Sequence, residues 1–193
     1  MDAGTISQMQ PSSVESPQHY SRTAVALHWL IALLIVFAFS LGLYMHELPL
    51  SPSKLKLYSY HKWIGVTVFV LAVLRLLWRL RVPPPSLPKT LGRWSQRAAH
   101  ATHYGLYLLI LIVPLSGWLL SSASGFPTVW FGVVQLPDLI EKSASMAKVF
   151  KSVHEILNDS MLMLVLLHVL ASLKHHFLDR DTVLRRMFVW RRS

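Results

Sequence analysis

The sequence predicts an all-α integral membrane protein, a four-helix bundle. Three observations carry that prediction. Hydrophobic residues make up 53% of the 193-residue chain and charged residues only 15%, below the roughly 25% usual in soluble domains; mean hydropathy is +0.42. The apolar residues come in four runs, near the length of about 20 residues that a bilayer crossing needs. The basic residues behind the net charge of +10 cluster at the ends of those runs. That distribution points to a membrane surface and not to nucleic acid.

Residues 1–19 are polar, rich in Ser, Pro and Gln, and lack the basic start of a signal peptide. They are expected to form a disordered cytoplasmic tail, with residues 20–193 as one four-helix domain. Thr23–Met45 contains no Asp, Glu, Lys or Arg and is the first predicted crossing. The second is Tyr58–Leu80, with Arg75 and Arg79 near one end, where they can snorkel or pair with an anionic ligand. The prolines of "RVPPPSLPK" end it. The third is Gln96–Ser122, with Pro114 inside as an expected kink. "SASGFPTVWFGVVQLPD" follows, apolar and aromatic but broken by Gly and Pro, and is expected to lie at the membrane interface. Lys148–His176 is the fourth crossing.

Basic residues set the orientation. With four crossings, Arg22, the second-to-third connection and the C-terminal tail share a side. That side holds all the arginines plus Lys89 and Lys174, thirteen basic residues against six lysines opposite. Both termini are therefore expected in the cytoplasm.

Ten histidines against nine acidic residues point to metal ligation or proton handling. Depth follows from orientation: His61 and His154 fall near the outer edge, His28 and His168 near the cytoplasmic edge. His154 and His168 are fourteen positions apart, a rise of about 21 Å and a return to within roughly 40° of the same face. Two imidazole pairs at two heights is the arrangement that holds two haems stacked across a membrane, each between two helices. The chain has no cysteine, so such haems would be held without a covalent link, and disulfides and iron–sulfur clusters are excluded. Arg75, fourteen after His61, lies on about the same face at the cytoplasmic level. It and Arg79 are candidate partners for haem propionates, or else plain membrane anchors. His100 and His103 lie at the same level; one of them could replace His28, and a quinone or proton role is favoured for at least one. His175 and His176 read as interfacial, and His46 competes for the outer pair. Lys62 adjoins His61, and Lys151 precedes His154 by one turn, so both are candidates for steering a small anion toward the outer haem.

The stretches "YSRTAVALHWL", "HKWIGVTVFVLAVLRLLWRL", "AHATHYGLYLLILIVPLSGWL", "KSVHEILN" and "LHVLASLKHHFLDRDTVLRRM" resemble the bacterial cytochrome b561 family, in order and over about residues 20–190. The resemblance implies two b-type haems ligated by His28, His61, His154 and His168, the set the depth argument selects independently. It also implies an oxidoreductase that exchanges single electrons between an outer donor, superoxide by resemblance, and membrane ubiquinone. Lipid, ubiquinone and a small donor are the implied partners. An electron-transfer subunit of a hydrogenase or another dehydrogenase would use the same four histidines. A transporter relaying protons through histidines would contain no haem.

Overall fold

The computed structural model of the protein describes residues 19–86, 92–182 and 184–188. The expected tail, apart from His19, lies outside the described residues, as do Lys89, Arg191 and Arg192.

Four long helices dominate: α1 (Arg22–Glu47), α2 (Pro52–Arg81), α3 (Arg93–Ala123) and α4 (Ala144–Phe177). A two-stranded antiparallel ribbon, β1 (Val129–Trp130) and β2 (Val134–Gln135), joins α3 to α4, and a single turn, α5 (Arg185–Phe188), follows α4. Each long helix, at 26 to 34 residues, exceeds the roughly 20 residues needed to cross a bilayer. Their outward faces carry leucine, phenylalanine and methionine, among them Leu33, Phe37, Leu74, Met163 and Leu170, all exposed. In water such faces would be costly; against lipid they cost nothing, so the protein is a multi-pass membrane protein.

The helices start where serine side chains can cap them. Ser21, Ser51 and Ser143 accept hydrogen bonds from the backbone N–H of Ala24, Lys54 and Met146. Two of these caps lengthen the helices beyond the expected bounds. Ser51, followed by Pro52 in the first turn, opens α2 six residues before Tyr58. Ser143 opens α4 four residues before Lys148. α3 runs on through Pro114 and stops at Gly125, whose φ of +72° only glycine adopts cheaply.

Packing follows chain order: α1 on α2, α2 on α3, α3 on α4. The segment between α3 and α4, expected as an irregular interfacial stretch, is pinned to the helices beneath it. Phe131 and Gly132, both at positive φ, turn the ribbon. The Trp63 indole donates to Val129 O (2.6 Å), the Trp130 indole to Thr67 Oγ1 (3.2 Å) and the Trp118 indole to Pro137 O (3.0 Å). The ribbon thus marks one end of the bundle, the ribbon end. The other, the termini end, carries the start of α1, the α2–α3 connection and the end of α4.

Candidate functional site: two histidine pairs at two levels

Four of the sequence-predicted histidines meet in two pairs. At the ribbon end His61 of α2 faces His154 of α4, with ring centres 6.3 Å apart. At the termini end His28 of α1 faces His168 of α4, also at 6.3 Å. A metal ion bound about 2 Å from each of two imidazole nitrogens sets the ring centres about 6 Å apart, so both pairs have the spacing of a metal clasped between two histidines.

The ribbon-end pair carries a second sign of fit. His61 Nδ1 lies 3.0 Å from Ala38 O and donates its hydrogen there. Ser116 Oγ gives its own hydrogen to Val113 O (2.7 Å), so at 2.8 Å from His154 Nδ1 it acts as acceptor. In both rings the proton is therefore fixed on Nδ1, and Nε2 keeps its lone pair for a metal; such outer partners orient metal-binding histidines generally. Two glycines clear the space. A Cβ on Gly117 would sit 3.0 Å from His154 Cε1, and one on Gly42 3.5 Å from His61 Cε1.

The termini-end pair is set differently. Among the described residues no hydrogen bond reaches the ring of His28 or His168. Arg75 lies within electrostatic reach of both. Its guanidinium donates to Ala24 O (2.8 Å) and Tyr107 Oη (3.1 Å), tying α2 to α1 and α3. The Arg79 guanidinium lies over the Tyr107 ring, 5.4 Å from its centre. These side chains line a small cleft of about 20 Å³ with Tyr20, Ser21 and Trp78. No carboxylate among the described residues pairs with either arginine. His103 of α3 approaches His168 at 5.3 Å between ring centres. That is shorter than the spacing of two imidazoles facing one metal from opposite sides, so the geometry favours His28 as the partner of His168 and leaves His103 beside the pair.

The other expected residues scatter. His100 is exposed and stacks on Tyr104. His46 is exposed and pairs with Glu47. His175 lies against Asp179 (3.0 Å) and Asp181 (2.8 Å) just past the end of α4. A hydrogen bond from Lys174 holds the Asp179 carboxyl below the usual carboxylate range. Lys62 adjoins the ribbon-end pair, but its ammonium donates to Ser121 Oγ (3.1 Å), Phe126 O (3.4 Å) and Pro127 O (3.1 Å). Lys151 is exposed and makes only a loose 3.8 Å pair with Glu155. Sequence reasoning missed Ser116, Gly117, Gly42 and Tyr107. No spacing rule marks them, because they act from helices other than those of the histidines and arginines they touch.

A four-helix membrane bundle with two stacked histidine pairs defines a membrane cytochrome of the b type. The comparisons with known proteins are specific. The family model described as prokaryotic cytochrome b561 matches residues 19–190, and the chain belongs to that family. It is 34% identical over 177 residues to "Cytochrome b561 homolog 2" of Escherichia coli (strain K12), covering 91% of this chain and 94% of the relative. It is 29% identical over 182 residues to "Probable superoxide oxidase CybB" of Yersinia pestis, covering 90% and 98%. "Cytochrome b562" of Cereibacter sphaeroides is 26% identical over 174 residues, covering 87% and 94%. The family is one of membrane electron-transfer proteins that bind b-type haem.

Proposed function

We propose that the protein holds two b-type haems and passes single electrons between a small donor at the ribbon end and ubiquinone in the membrane, with superoxide as the donor. The observation that carries this reading is the repeated 6.3 Å separation of His61 from His154 and of His28 from His168. Two bound haems supply one-electron chemistry at two depths, about 21 Å apart along α4. With two histidines placed to hold each iron, such haems would suit electron transfer and not oxygen binding.

The rest of the chain orients and supplies this pair of sites. His61 and His154 would hold one haem iron, and His28 and His168 the other. Arg75 and Arg79 are placed to meet haem propionates at the termini end. His103, beside the same pair, and His100, one turn before it, are placed to bind a quinone or to pass it protons. Lys151, and Lys62 to a lesser degree, bias the ribbon end toward anions. The termini end is cytoplasmic and the ribbon end periplasmic, by the excess of arginine at the former, in the inner membrane of a bacterium. The chemistry balances when two superoxide ions each give up one electron to become oxygen, and ubiquinone takes two electrons and two protons to become ubiquinol.

The test is direct. The purified protein should be red, with two haems per chain, both extracted by acid acetone since no cysteine can tether them. Alone in detergent it should reduce a ubiquinone analogue when superoxide is generated. Two haems with no superoxide-dependent quinone reduction would favour a subunit that receives electrons from another protein. A colourless protein would end the cytochrome reading.

A further inference from the structure

We propose that the outward face of α4 docks a membrane helix of another protein, one that brings a lysine or arginine to the level of Asp159. The proposal rests on the four-crossing fold alone and is independent of what the histidine pairs hold.

Asp159 is an exposed carboxylate at a depth where lipid cannot solvate it. α4 has no charged residue from Ser160 to Leu173, and Lys174 follows. With Lys174 at the inner edge of the hydrocarbon, Asp159 lies about 22 Å along the helix. That is about 8 Å short of the far edge of a layer roughly 30 Å thick. Its side chain is too short to reach the headgroups as lysine and arginine do. In depth it falls between the two histidine pairs, after His154 and before His168 in α4.

The bundle does not cover it. From Asp159 to His168 the helix turns through about 900°, so the two side chains point in opposite directions. α4 packs mainly on α3 and buries Met161 on its inner side, whereas Glu155, Asp159 and Ser160 are all exposed. Among the described residues Asp159 forms no hydrogen bond or ion pair. Ionisable groups within a membrane are rare, and they are paired or face a polar interior. This one is neither within the chain, so its partner comes from outside.

Two further features define that partner. Val149, Ile156, Met163 and Leu170, all exposed, recur every seven residues, the spacing of a seam between two helices. Ser152 and Ser160, exposed beside that row, are small enough to let a second backbone come close. The second feature is charge. Glu155 and Asp159 stand one turn apart, and among the described residues Lys151 alone pairs with them, loosely, at 3.8 Å from Glu155. A second copy of this chain, related by a two-fold axis along the membrane normal, would set Asp159 against Asp159 and Glu155 against Glu155, like charges at close range. A basic side chain on a different helix meets both carboxylates instead.

The experiment places the whole protein in liposomes with a synthetic probe, a leucine-rich helical peptide long enough to span them. One version carries a single lysine at the depth of Asp159, a second carries leucine there and a third glutamate. The chain has no cysteine, so a dye on Met146→Cys, at the exposed start of α4, reports binding by energy transfer from a labelled peptide. The lysine peptide should bind about tenfold more tightly than the other two, the gain expected of one polar pair inside a membrane. Asp159→Asn should remove most of that preference, Asp159→Glu should keep it, and Glu155→Gln should reduce it by less. Equal binding of the three peptides to the wild type, or a preference that survives Asp159→Asn, would overturn the proposal. So would a disulfide formed between two copies of Met163→Cys under mild oxidation in peptide-free liposomes, since that would give the seam to a second copy.

Discussion

The two ends of the bundle present the same pair of rings at the same separation, 6.3 Å, in opposite surroundings. At the ribbon end each ring is braced from outside: a carbonyl of α1 for His61, a serine of α3 for His154, with a glycine close against each. At the termini end the rings are unbraced, and a third histidine and two arginines crowd them instead. One site is built to be rigid and to keep its protons fixed. The other gathers charged and titratable groups around a site that is less firmly held. If the protein exchanges protons with a quinone as proposed, it needs both kinds, the titratable end for the quinone and the braced end for the electron alone.

The largest break in the comparison is removal of one ligand at each end. His61→Ala should lose the ribbon-end haem and keep the other, halving haem content; His168→Ala should do the reverse. The two histidine pairs share only α4, at positions about 21 Å apart. Loss of both haems from a protein that remains folded, measured as haem per chain with the secondary structure checked by circular dichroism, would show that the pairs are not independent.

A finer break separates His28 from His103. The 6.3 Å against 5.3 Å distances favour the proposal that His28 is the ligand and His103 a neighbour. His28→Ala should therefore lose the termini-end haem, whereas His103→Ala should retain both and their low-temperature spectra. If His103 handles protons for the quinone, its loss should slow quinone reduction by about a hundredfold, at the lower end of general acid–base contributions, without slowing haem reduction by the donor. The opposite pattern would make α3 the true partner of α4 at this level.

Next in size is Gly117→Ala. Its new methyl would press on the His154 ring from 3.0 Å, tight enough that the ring or the helix must give. Overpacking of this kind costs about 1–3 kcal/mol. The expected result is a shifted, broadened absorption band for the ribbon-end haem alone, with a lower thermal midpoint. Gly42→Ala, at 3.5 Å from His61, sits at ordinary contact distance and should do much less. Equal effects from the two substitutions would mean that the glycines are merely helix-packing residues.

The contrast between the ends also separates what the sequence discloses from what it conceals. The crossings are legible because lipid imposes a simple rule, long uncharged runs, on α1 and α3 and a looser version of it on α2 and α4. The pairing of histidines is legible because fourteen residues is nearly a whole number of turns, so His154 and His168 had to share a face of one helix. The early starts of α2 and α4 were signalled by Ser51-Pro52 and Ser143, but hydropathy hides them, since Lys54 and Lys56 in α2 and Lys148 and Lys151 in α4 stand between these starts and the apolar runs. The braces were not legible at all. Ser116 meets His154 across 38 positions and Arg75 meets Ala24 across 51; such contacts are set by how helices rotate against one another. The ribbon was read as loop because its strands are two residues long and are held by indoles of α2 and α3 more than by their own pairing.

The smallest predicted effect concerns the approach of the donor to the ribbon end, and the structure divides two lysines that look equivalent in the sequence. Lys62 spends its three hydrogens on Ser121 and the carbonyls of Phe126 and Pro127, so it fastens the α3–ribbon junction to α2. Lys151 stands in solvent with a loose carboxylate neighbour, and its field extends toward any anion nearing His154 one turn on. If an anionic donor is steered, Lys151→Gln should lower the rate of haem reduction by superoxide about twofold to threefold at low salt, a modest share of the tenfold or more that clustered charge can give. The difference should vanish as the Debye length falls to about 3 Å at 1 M salt. Reduction by a neutral quinol should not change. Lys62→Gln should behave otherwise: it leaves oxygens at the ribbon junction without their donor, so it should lower stability and slow both donors alike, at every salt concentration. A Lys151→Gln rate that matches wild type at low salt would leave that lysine a headgroup anchor and remove steering from the account of the ribbon end.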